Sequence, residues 1–244
     1  MKKILLPILL LFSFSPAHAL LLHQESFEQA PGGTYTLTTA FDDGGFDYFN
    51  RYAVPDNGNA ARDDFQTGWD GGFGIQAQDI DGDGGSRIGA IGLTGINVAG
   101  FTGLQVTISL GALNSEPAFN NFEQADGDGI KIFVRLDGGA DTLIGQFAPP
   151  ATNGNSGDLY LDTDFNAVGD AARLSIALSD FTFLIPSVGS ILDVRVELTS
   201  TDSFESLAVD NVRIDSVPEP AMLALLGFGL AFIGYRVHRS NRAA

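Results

Sequence analysis

Apolar and polar residues alternate one for one through long stretches of this chain, and almost no segment repeats its apolar residues at helical spacing. Side chains on a strand point to opposite faces in turn, so a stretch of this kind buries one clean face only as β-strand. In residues 104–110, Leu104, Val106, Ile108 and Leu110 share one face and Gln105, Thr107 and Ser109 the other, which predicts a core side and a wet side. Residues 130–136 repeat the pattern, with Ile130, Ile132, Val134 and Leu136 set against Lys131, Phe133 and Arg135. They run into Asp137-Gly138-Gly139 and a second apolar run over 142–147. Asp and Gly accept the positive φ of a tight turn, so this is read as a hairpin. Residues 34–39, 174–184 and 192–198 are read as further strands, the last with Asp193, Arg195 and Glu197 facing out. In residues 207–214 the apolar parity slips between Val209 and Val212, which predicts a bulge at Asp210 and Asn211 or an acidic side chain turned inward. Six or more strands separated by turn signals, with no βαβ rhythm, predict an all-β antiparallel sandwich.

Both ends of the 244-residue chain read differently from this middle. Residues 1–19 open on Lys2 and Lys3, continue apolar over 4–14 and close on Ala17-His18-Ala19, a signal peptide cut after Ala19 by signal peptidase. The apolar run is too short to cross about 30 Å of hydrocarbon, and Pro7 and Pro16 interrupt it. Residues 217–244 begin Val217-Pro218-Glu219-Pro220, continue with fifteen largely apolar residues over 221–235 and finish on a basic cluster with Arg236, His238, Arg239 and Arg242. The prolines bar an early helix start, and the arginines place the far end of a single C-terminal transmembrane helix on the cytoplasmic side.

This tail resembles the PEP-CTERM sorting signal of Gram-negative bacteria, which combines a Pro-Glu-Pro triplet, a membrane segment and a terminal basic cluster. Here those parts are Pro218, Glu219 and Pro220, residues 221–235, and Arg236 with Arg239. The resemblance covers about the last 28 residues and implies an exosortase-type membrane protease as partner. That protease would cut near the triplet and pass the ectodomain to the envelope, the surface or the extracellular matrix. An ordinary permanent anchor is the alternative, although fifteen apolar residues are marginal for a stable span.

The ectodomain, residues 20–216, holds 8 basic and 29 acidic residues, a net charge of −21. Such a surface repels phosphate backbones, so nucleic acid is not a partner; it suits a soluble secreted protein or one that collects divalent cations. There is no cysteine, which removes disulfides, thiolate metal sites and thiol chemistry. The ectodomain's one histidine, His23, lies near the new N-terminus, where chains are usually loose, so no Ser-His-Asp arrangement can be assembled. A glycosidase would need only two carboxylates, and Glu25, Glu28, Glu116, Glu123, Glu197 and Glu205 are available, but nothing in the sequence singles out a pair. The protein is therefore read as no enzyme.

Asp79-Ile80-Asp81-Gly82-Asp83-Gly84 matches the first half of a DxDxDG calcium loop, in which alternate aspartates converge on one hard cation and glycine makes the turn. The twelfth position is Ala90 rather than Glu, so this is a looser extracellular calcium loop or an acidic β-turn. Asp126-Gly127-Asp128-Gly129 reads as a turn into the following strand. The aromatic residues Phe46, Tyr48, Phe49, Tyr52, Phe65, Trp69 and Phe73 lie in an irregular Gly- and Asp-rich region. They either plug the core, the default for large apolar side chains, or present Tyr52 and Trp69 to a polysaccharide as a stacking platform.

Three phrases make the ectodomain resemble secreted bacterial domains and jelly-roll carbohydrate-binding modules: Ser26-Phe27-Glu28, the stretch over 77–83, and the ending Ala208-Val209-Asp210-Asn211-Val212-Arg213-Ile214. The resemblance implies a jelly-roll-like sandwich in which Glu28 and Asp210 share a structural calcium. The sequence thus predicts an exported, exosortase-sorted protein with a non-catalytic, calcium-stabilised binding or structural ectodomain. A lectin-like glycan-binding module and a carboxylate glycosidase remain as alternatives.

Overall fold

A computed structural model describes residues 19–54, 66–82, 88–114, 122–124, 126–151 and 158–217. The signal peptide up to residue 18, Asp83, Glu116 and the sorting residues Pro218, Glu219, Pro220, Arg236 and Arg239 lie outside the described residues, as does the predicted transmembrane helix.

The described residues form thirteen strands: β1 (Leu20–Glu25), β2 (Thr36–Thr38), β3 (Phe41–Asp42), β4 (Tyr48–Ala53), β5 (Phe73–Gln78), β6 (Gly89–Asn97), β7 (Leu104–Asn114), β8 (Gly129–Leu136), β9 (Thr142–Ala148), β10 (Tyr160–Leu161), β11 (Ser179–Leu184), β12 (Ile191–Thr199) and β13 (Glu205–Ser216). They pair antiparallel into two sheets. One runs β11-β7-β13-β5-β4-β3 with β1 beside β13, and the other runs β10-β9-β8-β12-β6-β2. From β5 to β8 and again from β10 to β13 the chain changes sheet at each step, the crossing habit of a jelly-roll-like sandwich.

The core lies between the sheets, where Ile75, Leu93, Ile108, Ile132, Val196 and Val209 have no exposed surface. Strand β12 keeps its expected alternation: Leu192, Val194, Val196 and Leu198 are buried, and Asp193, Arg195 and Glu197 turn outward. The hairpin at residues 137–139 is also found, with Asp137 at φ 50° and Gly138 at φ 70° between β8 and β9. Gly145 is required where β9 passes under β11, because a Cβ there would sit 2.5 Å from Phe183 Cε1.

Three local expectations change. The second face of β7 is not wet: Thr107 is 6 % and Ser109 8 % exposed. Cross-strand partners seal it, Thr107 bonding Thr182 at 2.9 Å and Ser109 donating to Asp180 at 2.6 Å. Residues 174–178 hold a single isolated bridge, Ala177 to Thr67, so only Ser179–Leu184 is strand. His23 is not loose, since β1 pairs along β13 and sets His23 opposite Ile214.

The parity slip in β13 has a topological cause. Residues 206–209 pair with β5 and residues 212–216 pair with β1, so β13 changes partner at Asp210 and Asn211. The register against β7 shifts at the same place, and Asn211 takes φ 46°. A bulge of this kind re-aims a side chain, and here it turns Asp210, fully buried, toward the loop that precedes β5.

Candidate metal centre

Asp210 Oδ2 accepts the Asp70 N–H at 2.6 Å, and Oδ1 accepts the Asn211 N–H at 2.7 Å. Glu28, just beyond β1, grips the same loop two residues on: its Oε1 accepts the Gly72 and Phe73 N–H groups at 2.9 and 3.1 Å. Gly71 makes room for this, because a Cβ there would lie 2.2 Å from Glu28 Oε1. Arg51 on β4 fixes the segment from below, donating to the Glu28 carbonyl at 2.7 Å and to the Phe27 carbonyl, with its guanidinium 3.5 Å from the Phe73 ring centre. Burial pushes the Asp210 carboxyl up to about 7 against the pull of its two N–H donors, and the charges of Asp70 and Glu28 add to the rise. The fold thus brings Glu28 and Asp210 onto one loop, beside Asp70.

The Asp79 loop collects a second group. Asp79 has φ 43°, and its N–H donates to Ser200 Oγ at 3.1 Å while the Ile80 N–H reaches the Ser200 carbonyl at 2.7 Å. Burial raises the Asp79 carboxyl to about 7, helped by the charge of Asp47 and a hydrogen bond with it, then by Asp81 and Asp202. Asp47 packs on Gly82, where a Cβ would lie 2.1 Å from its Oδ2. Asp47 and Asp202 come from outside the DxDxDG stretch, and local spacing does not reveal them.

Among the described residues, one group of three acidic side chains brings ligand atoms within 4.8 Å of one another: Glu123, Asp128 and Glu205. It is a buried cluster that can bind a metal ion, and it differs from every predicted set. Glu205 has no exposed surface and Asp128 is 3 % exposed. The Asp126-Gly127-Asp128-Gly129 turn does lead into β8, as expected, but it also turns the Asp128 carboxylate inward to accept the Glu123 N–H at 2.7 Å and the Thr201 hydroxyl at 3.1 Å. Burial drives Glu205 up to about 9, reinforced by the charges of Asp128 and Glu123. Burial likewise lifts Asp128 to about 7.

A further acidic loop lies outside the predicted sites. Asp162, Asp164, Asn166 and Asp170 recur at even spacing, a pattern that the DxDx[DN] rule used for residue 79 would have found. Asp162 accepts the N–H groups of Asp164, Asn166 and Ala167 at 3.3, 3.3 and 2.8 Å, and Thr163 bonds Asp170. The loop is closed by its own hydrogen bonds.

The aromatic residues resolve mostly as packing. Tyr52 is 8 % exposed and stands edge-on to Tyr48 at 5.4 Å, so it belongs to the interior and not to an exposed stacking platform. Trp69 is half-buried, donates to the Gln66 carbonyl at 3.0 Å and lies on Gly74, where a Cβ would be 2.2 Å from its ring. The region is also less irregular than expected, since β4 and β5 run through it. The described glutamates hold structural partners: Glu25 takes the Phe27 N–H at 2.7 Å, Glu197 pairs with Arg195, and Glu28, Glu123 and Glu205 hold the positions given above.

No curated protein matches the chain. Among solved structures it is similar to the K2 cleaved adhesin domain of Lys-gingipain of Porphyromonas gingivalis, at 15 % identity, covering 79 % of this chain and 96 % of that one, with a TM-score of 0.43. It is similar to the CBM22-1 xylan-binding domain from Paenibacillus barcinonensis at 12 % identity, 83 % and 98 % coverage and a TM-score of 0.43. A CBM61 domain solved with β-1,4-galactotriose follows at 10 % identity, 78 % and 92 % coverage and a TM-score of 0.40. None of these likenesses bears on the site. Residues 216–240, starting at the last residue of β13, match the PEP-CTERM protein-sorting motif, which marks the chain as an exported protein sorted to the cell envelope.

Proposed function

We propose that this protein is cut by signal peptidase after Ala19, held transiently by its C-terminal helix, and processed by an exosortase-type membrane protease near Pro218, Glu219 and Pro220. Its sandwich then serves in the envelope or extracellular matrix as a non-catalytic binding or structural component. The observation that carries this reading is the sorting motif over 216–240, which begins where the last strand ends at Ser216. Calcium is the cofactor of the reading: Glu28 and Asp210 crowd one loop with Asp70, Asp79 and Asp81 crowd another with Asp47 and Asp202, and all donors are oxygen. Asp83 completes the loop motif in sequence.

Processing tests it. Expressed in a host that carries the protease, the chain is expected to yield a mature form ending near residue 218 by mass, and Glu219→Ala to accumulate uncut in the inner-membrane fraction. An uncut wild-type chain, or a variant cut as well as wild type, would sink the proposal.

A glycan-binding role has one observation in its favour. Phe133 on the outward face of β8 is half-buried, with the Arg195 guanidinium over its ring at 4.4 Å and Arg135 and Asp193 paired at 2.7 Å, a grouping of one aromatic and several hydrogen-bonding side chains of the kind that can line a sugar site. On this reading Phe133→Ala is expected to abolish retention on a polysaccharide affinity gel and leave the melting temperature within about 2 °C of wild type. Undiminished retention would remove Phe133 from any glycan site.

A further inference from the structure

Glu123 and Asp128 stand in the loop before β8, and Glu205 opens β13, so three carboxylates distant in sequence meet at one end of the sandwich. Carboxylates are common on acidic surfaces, but here Asp128 and Glu205 are buried and Glu123 is partly buried. Glu205 has no exposed surface and its Oε1 accepts no hydrogen bond, although the carboxylate is set against Asp128 and Glu123. A buried acceptor without a donor costs about 1–3 kcal/mol, and more when charged. Asp202 and Asp126 add further negative charge at Glu205 and Asp128.

We propose that Glu123, Asp128 and Glu205 form a binding site for a hard divalent cation of calcium's size, separate from the Glu28 and Asp210 loop, and that the bound ion ties the 122–128 loop to the turn between β12 and β13. The donors are all oxygen, with Thr201 Oγ1 at 3.1 Å from Asp128 as a neighbour, and no nitrogen or sulfur ligand is in the group. Two oxygens on opposite sides of calcium are about 4.6–5.2 Å apart, and on opposite sides of magnesium about 4.0–4.2 Å. Ligand atoms gathered within 4.8 Å therefore fit around one calcium with little movement. Asp128 lines a surface cleft with Gln124, Gly127, Lys131 and Ala167. Lys131 in that cleft stands opposite Glu197 in the strand register.

The site predicts where one calcium goes. The full chain in mild detergent, stripped with chelator, is dialysed to equilibrium against calcium and the bound ion counted. Glu205→Gln and Asp128→Asn are each expected to hold one calcium fewer per chain than wild type. Calcium is expected to slow amide hydrogen exchange over residues 123–128 in wild type and not in either variant. Glu205→Gln keeps the shape and removes the ionisable group, so it should fold at least as well as wild type without metal, which circular dichroism checks. A separate Glu28→Gln, Asp210→Asn double variant isolates the calcium of the proposed function. If that variant alone loses an ion, the present proposal fails and the other stands; if the Glu205 variant alone loses one, the reverse holds. Equal calcium content in wild type and Glu205→Gln, or exchange over 123–128 indifferent to calcium, overturns the proposal.

Discussion

Stripped of divalent cations, the protein is expected to melt at its lowest temperature in alkaline buffer and to gain stability as the pH falls from about 9 toward 5. Glu205 titrates in the fold near 9 and Asp128 near 7, against ordinary values of 4.5 and 3.8. Between the ordinary and the raised values the folded chain holds protons that the unfolded chain has released. Their contribution is full below the unfolded values and is lost as the pH rises through the folded ones. Asp210, also raised to about 7, acts in the same direction. Asp180 is opposed: burial alone would raise it, but hydrogen bonds from Ser109 and Arg213 and the Arg213 charge hold it low, so its contribution appears above the ordinary range and fades in acid. His23, lowered by burial despite Glu25, also favours the higher pH. Asp180 is half exposed and His23 only partly buried, whereas Glu205 and Asp210 have no exposed surface, so the buried acids win. A few kcal/mol over this range corresponds to a fall in melting temperature on the order of 10 °C for a domain of this size. Melting curves in chelator at pH 5, 7 and 9 check it, and a midpoint that rises with pH would contradict it. Saturating calcium is expected to flatten the slope, because an ion on the carboxylates replaces the protons.

The largest single loss by substitution is expected at Phe147. Its ring is 1 % exposed, stands edge-on to Phe181 at 4.7 Å and to Phe183 at 6.4 Å, and bridges β9 of one sheet to β11 of the other. Phe147→Ala removes the buried ring and leaves a cavity that the strands cannot close, because their hydrogen bonds fix the spacing. The cost is about 3–5 kcal/mol, enough to lower the midpoint by roughly 10 °C or more. Chemical denaturation checks it through a lower midpoint at unchanged slope. Phe133→Ala on the outward face of the same sheet supplies the contrast, since no sheet packs over it. A loss under about 1 kcal/mol at Phe147 would mean that the two sheets do not close there as described.

The candidate sites divide by how local their chemistry is. Asp210 was legible because a bulge disturbs the apolar parity of its own strand, and Glu28 entered through the resemblance of its short phrase to a known ending and beginning. The DxDxDG stretch announced Asp79 and Asp81 by spacing alone, and the same rule, carried further, reaches Asp162, Asp164 and Asn166. Glu123, Asp128 and Glu205 carried no such mark. Asp128 sits in an Asp-Gly turn that any hairpin would use, and Glu205 looks like an ordinary charged residue at a strand start. Tyr52 and Trp69 show the same limit for aromatics, whose types are equally suited to a sugar platform and to packing.

By itself the sequence determined the strands that alternate, the hairpin at Asp137 and Gly138, the all-β class, the lack of thiol chemistry and the sorting tail, because each depends on neighbours within a few residues. Only the tertiary structure decided which carboxylates meet. Residues 123 and 205 are joined by the closure of β8 and β12 against each other and by the turn that returns the chain into β13. The energy that holds buried charges together there comes from the packing of two whole sheets, which no local pattern encodes.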